Sequence, residues 1–175
     1  PDMSFNMTKI MDYGTKIDEP ILKYYINRHR LEKKDPTANM SEAVKPIIYY
    51  IDSSAPPAIR DALQEGVSWW NQAFEAAGFI NAFQAKILPD DIDPQDVRYN
   101  IVNWVHRSTR GWSYGMSVID PRTGEIIKGH VTLGSLRSRQ DFMIATAVSG
   151  PYVQGGNTDQ EMALVLARTR QLGAH

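Results

Sequence analysis

The stretch Lys45–Phe79, KPIIYYIDSSAPPAIRDALQEGVSWWNQAFEAAGF, decides how the chain folds. From Lys45 to Asp52 it is a short apolar, β-branched and aromatic run behind a proline, which reads as a strand buried on both faces. The loop Ser53-Ser54-Ala55-Pro56-Pro57 then feeds a helix with proline in its first turn. Ile59, Leu63, Val67, Trp70, Phe74 and Ala77 recur at three- and four-residue steps, the apolar stripe of one amphipathic helix. Gly78 supplies a left-handed stop, and Phe79 stands where a helix C-terminus makes its hydrophobic contact.

Working outward, Phe83–Leu88 reads as a second strand, Pro89–Asp96 as a loop and Tyr99–His106 as a third strand. Met116–Ile119 and Glu125–Gly134 flank Asp120-Pro121-Arg122-Thr123-Gly124. Proline at the second turn position and glycine at its close predict a hairpin with a type I turn and a bulge. Thr158-Asp159-Gln160-Glu161 has the form of a capping box, so a helix runs on from there with Met162, Val165, Leu166, Thr169 and Leu172 on one face. Gly155-Gly156 before it is a loop signal. The order predicts an α/β (α+β) architecture. A mixed twisted sheet of about four to five strands would end in an antiparallel edge hairpin, with two main helices against one face.

Residues 1–44 are mixed in charge and weakly periodic, and are read as an N-terminal extension packed on a core formed by 45–175. Within it, Ile21–Ile26 behind Pro20 forms either a short helix or an extended segment, and Asp35-Pro36-Thr37 a turn. The chain opens at Pro1 with no signal segment, and its last helix meets no stop signal before His175. The sequence is therefore expected to be an internal piece of a longer product.

Nineteen Lys and Arg against 20 Asp and Glu give a net charge of −1, which argues against a dedicated nucleic-acid binder. The absence of cysteine removes disulfides, thiolate metal sites and cysteine nucleophiles. The longest apolar runs, Ile47–Ile51 and Met162–Ala167, are too short to cross a bilayer.

Chemistry rests first on the histidines. His29 lies in a charged stretch and reads as solvated, and His106 ends a strand and reads as a hydrogen-bonding residue. His130 sits in the second hairpin strand, where an edge imidazole could touch a bound peptide or simply be exposed. No two of the three share helical ligand spacing, so the residues alone support no complete metal site. Asp90, Asp91, Asp93 and Asp96 raise calcium, but the loop lacks the glycine and terminal glutamate of a helix-loop-helix calcium site. Trp69 and Trp70 read as core and flank of the first helix. His175 follows small residues that allow close packing.

Several stretches resemble a family of large bacterial zinc-dependent metalloproteases of the metzincin type. They are Asp12-Tyr13-Gly14-Thr15-Lys16, Tyr24-Tyr25-Ile26-Asn27-Arg28, Arg30-Leu31-Glu32-Lys33-Lys34-Asp35-Pro36-Thr37, Lys45-Pro46-Ile47, Ala73-Phe74-Glu75-Ala76-Ala77-Gly78-Phe79 and Val118-Ile119-Asp120-Pro121-Arg122-Thr123-Gly124-Glu125-Ile126. The resemblance spans roughly Asp12 to His175 and implies that residues 45–175 form the upper subdomain of a metallopeptidase. It makes the helix from Thr158 the active-site helix, with His175 the first zinc ligand of H-E-x-x-H-x-x-G-x-x-H. The general base and the other two histidines would follow His175, so no catalytic residue lies within the chain. The parent would hold Zn²⁺, whereas the 175-residue chain is expected to be inert and to hold none at His175. A peptide or protein substrate would pair with the edge strand, placed at Ile127–Leu133, through Gly129, His130, Val131 and Thr132. The resemblance also implies a cell-envelope or extracellular location. An apolar face left by truncation would favour self-association. The alternatives are a peptide- or glycan-binding module using the edge strand, and a scaffold that has lost its ligands.

Overall fold

The computed structural model describes residues 6–107, 112–148 and 158–174. Two strands come first, β1 (Met7–Met11) and β2 (Leu22–Ile26), paired antiparallel. The second settles the open reading of Ile21–Ile26 in favour of extended chain. The Asp35 turn also forms, with the Asp35 carboxylate accepting from the amide and hydroxyl of Thr37. A short β3 (Ser41–Glu42) pairs parallel with β5 (Phe79–Ile80). The main sheet contains β4 (Ile47–Ile51), β6 (Phe83–Ile87), β7 (Asn100–Val105), β8 (Tyr114–Ile119) and β9 (Ile126–Gly134). Its order is β6-β4-β7-β9-β8, parallel throughout except for the last pair. The helices are α1 (Pro57–Ser68), α2 (Asn71–Ala76), α3 (Ser135–Val148) and α4 (Thr158–Ala174). The protein is therefore a mixed α/β domain around a five-stranded mixed sheet. No helix among the described residues is long and apolar enough to cross a membrane.

Alternation along the strands sets one face against α1. Ile51, Val102, Trp104 and Leu133 from the sheet meet Leu63 and Val67 from α1 in one buried cluster, edged by Tyr49, Ile59, Phe83 and Val131. Burying each large apolar side chain there stabilises the fold by about 1.5–3 kcal/mol. On the opposite face the 89–99 loop folds over β9. The Lys128 ammonium, 5% exposed, donates to the carbonyls of Pro94 at 2.6 Å and Asp96 at 2.8 Å.

The single helix read across Ile59–Ala77 is two. After Ser68 the backbone stays in the right-handed helical region but tightens, with Trp69 N–H donating to Gly66 and Trp70 N–H to Val67, both at 3.3 Å. The apolar stripe is thus buried only through Val67. Trp69 and Trp70 are 42% and 47% exposed, which corrects the reading that placed one of them in the core. Gly78 does end α2, at φ +87°.

The hairpin turn forms as read. The Asp120 carbonyl accepts from Thr123 and Gly124, Gly124 has φ +74°, and the register slips between Val118 and Ile119. Helix α3 was not anticipated. Helix α4 begins at Thr158, and Val165, Leu166 and Thr169 turn inward, Thr169 fully buried. The capping side chains of Thr158 and Glu161, the side chains of Met162 and Leu172, and all of Gly155, Gly156 and His175 lie outside the described residues. Helix α4 runs alongside α1 in the same direction. Val165 shares a cavity wall with Ile59, and the Arg170 backbone packs on Gly66 while its guanidinium bonds Glu65.

Candidate functional site

Three features of the described residues could do chemistry or binding: the sheet edge at β8, an aromatic cavity beside it, and a cationic cavity at the other end of the strands.

Residues Gly129, His130, Val131 and Thr132 are not at the edge. They lie in β9, which pairs with β7 on one side and β8 on the other. The backbone groups that would have bound a peptide are spent inside the sheet, so the edge assignment moves to β8. Each of the four residues has a structural task. Gly129 leaves room for the ring of Tyr49, which comes so close that a Cβ there would collide with its hydroxyl. The Gly129 amide donates to the Asn100 side chain at 2.8 Å. Val131 faces the α1 side, whereas His130 and Thr132 face the other.

His130 Nε2 lies 3.1 Å from Asn103 Nδ2. An amide NH₂ can only donate, so this ring nitrogen accepts and the imidazole is neutral. Burial, and then the charge of Lys128, push its pKa down.

The true edge, β8, is Tyr-Gly-Met-Ser-Val-Ile with no charged residue, and Tyr114, Met116 and Val118 are exposed. The other edge strand, β6, carries Gln84 and Lys86. Exposed edges are normally blunted by charge, proline or bulges, and β8 has none of these on its own outer side.

Ser113, Tyr114 and Gly115 lead directly into a cavity of about 510 Å³ at the amino ends of β4 and β6. Its wall is an aromatic stack. Tyr49 and Phe83 have ring centroids 5.5 Å apart, and Phe83 and Phe74 are also 5.5 Å apart and nearly coplanar. Trp70, Val67, Val131 and Leu133 complete the lining. His29 enters this cavity from the extension and is not a solvated surface residue. The segment is pinned by Arg28, which exchanges backbone hydrogen bonds with the turn residues Gly124 and Ile126. Burial lowers the His29 pKa against the opposing pull of Glu125, with Lys45 adding to the lowering.

The second cavity, about 500 Å³, sits at the carboxyl ends of β7 and β9. His106 lines it and bonds Ser135 at 2.7 Å, the hydrogen-bonding role read from sequence.

The aspartate loop is not a cation site. Asp93 and Asp96 close turns onto the amides of Gln95 and Arg98, and the Lys128 ammonium takes the inward carbonyls. Side-chain hydrogen bonds from Arg98 hold the Asp96 pKa down at about 2.

Zinc fares no better among the described residues. His29, His106 and His130 stand in three separate places, and no group of three or more potential ligands gathers anywhere. The described part of the chain does not make a zinc cage. Comparison with protein-family models, curated proteins and solved structures gives no match.

Proposed function

We propose that this chain is the N-terminal part of a zinc-dependent endopeptidase domain, in which β8 holds an extended substrate and α4 leads to the metal. The observation that carries the reading is the uncharged, exposed edge of β8 opening onto the aromatic cavity. An extended peptide laid along β8 gains main-chain hydrogen bonds, and its alternate side chains point to the face where the cavity lies. Gly115 stands at that mouth with open space where a side chain would be. The cavity takes an aromatic or large aliphatic substrate side chain.

The course of α4 supports the same reading. Running beside α1, it ends near the part of α1 whose Val67 and neighbouring Trp70 wall the cavity. Its last residues therefore approach the place where a substrate on β8 would lie. Since the described residues hold no cage, the reading assigns zinc to His175 and to ligands that follow it in the parent protein.

The test is cleavage of an unstructured peptide by the natural product extended past His175. Chelator-sensitive cleavage next to bulky apolar residues supports the reading, and absence of cleavage in a folded, metal-loaded product overturns it. A second reading, a binding module that captures extended peptides on β8 without cleaving them, is favoured by the same free edge. It predicts saturable peptide binding by the 175-residue chain alone.

A further inference from the structure

The cavity at the carboxyl ends of β7 and β9 plays no part in the peptidase reading. Its rim carries His106, Arg107, Ser135 and Arg139, and no carboxylate lines it among the described residues. Arg107 rests over the Tyr114 ring, 5.5 Å from its centroid, a contact that positions the guanidinium without neutralising it. Ser135 opens the fourteen-residue helix α3, so the first-turn amides, which have no intrahelical acceptor, face this end of the sheet.

The inner wall is apolar: Pro56, Ile59, Leu136 and Val165 around Trp104. Trp104 is 7% exposed, and its indole Nε1–H is buried without a hydrogen-bond partner. A buried donor left unmade costs about 1–3 kcal/mol, so an acceptor at this wall is missing from the described protein. Open α/β sheets bind ligands outside the carboxyl ends of their strands, the position this cavity occupies.

We infer that this cavity is a binding site for a small phosphomonoester. Two guanidinium groups, a hydroxyl and the helix terminus suit a tetrahedral dianion better than a single carboxylate. The volume exceeds a bare phosphate, and the apolar wall with its indole suits a ring-bearing organic part with an acceptor atom.

Phenyl phosphate, inorganic phosphate and benzoate, each titrated into the ¹⁵N-labelled 175-residue chain at constant ionic strength, test this. The Trp104 indole resonance, assigned with Trp104→Phe, and the His106 ring are the reporters. Phenyl phosphate should shift both saturably and bind at least about tenfold more tightly than benzoate or inorganic phosphate. Arg107→Gln with Arg139→Gln should weaken it about tenfold or more, while the unchanged remainder of the spectrum reports an intact fold. The inference falls if phenyl phosphate gives no saturable shift at these reporters, if benzoate or inorganic phosphate binds equally well, or if the folded double variant binds as the parent does. None of these outcomes depends on peptidase activity.

Discussion

Replacing Gly66 with alanine separates two forces of opposite sign. Gly66 lies inside α1, where alanine is intrinsically better by about 0.8–1 kcal/mol. If α4 were not seated on α1, Gly66→Ala would stabilise the protein by that amount. In the structure, however, a Cβ at Gly66 would run into the carbonyl carbon and oxygen of Arg170. These are backbone atoms, so no rotamer change relieves the overlap and α4 must move as a body. Overpacking of this kind costs about 1–3 kcal/mol, and the rigid obstacle places it in the upper part of that range. The net expectation is a loss of about 1–2 kcal/mol, roughly 2–8 °C in Tm at this chain length. Urea unfolding followed by tryptophan fluorescence measures it, with amide exchange through residues 164–171 showing whether α4 loosens first. Gly115→Ala is the control, because nothing stands within 4 Å of the added methyl. A Gly66→Ala protein as stable as the parent, or more so, would refute the docking of α4 and with it the route from that helix to the cavity.

Gly129→Ala should destabilise by about 1–3 kcal/mol, and the loss should shrink in a Tyr49→Phe background, since the Tyr49 hydroxyl is the nearest obstacle. Additive effects in that double-mutant cycle would contradict the contact. Lys128→Met leaves the Pro94 and Asp96 carbonyls without their donor and should release the 89–98 loop to proteolysis at a cost of about 1–3 kcal/mol. Protection equal to the parent's would count against that anchoring. The Asp120 pKa is held down at about 2, first by its hydrogen bonds from the Arg122 side chain. A depressed carboxylate stabilises fully above its ordinary value of about 3.9 and loses that contribution as pH falls through the folded value. Asp120→Asn should therefore lower stability at pH 7 and match the parent near pH 2. A gap unchanged at acid pH would show that the ion pair is not its source.

How much was legible in the sequence differs by element, for physical reasons. Ile59, Leu63 and Val67 announced α1 because a buried stripe has a period, but period reports angular position and not hydrogen-bond continuity. Trp70 and Phe74 keep the period across the tightened turn that splits α1 from α2, and only the bonds to Gly66 and Val67 reveal the break. The hairpin at Asp120–Gly124 is local and was readable. Which of its strands lies outside was not, because that depends on pairing Ile101 with His130, far apart in sequence. Lys128 misled further. A charged residue suggests an exposed strand, yet here it is buried against carbonyls of a loop that sequence gives no reason to fold over it. The uninterrupted run between Gly134 and Gly150, with no proline, was the available signal for α3. The strands β1 and β2 are joined by residues 12–21 without a tight-turn motif, so their pairing had no comparable signal. Both cavities assemble residues from at least four elements, which no spacing rule brings together.

Metal content decides the central claim most directly. Purified from zinc-supplemented medium and dialysed, the 175-residue chain should carry no stoichiometric zinc, because its described residues form no cage. The natural product continued past His175 should carry one zinc per chain and lose it on replacing that histidine. Stoichiometric zinc in the shorter chain, or none in the longer one, would contradict the account.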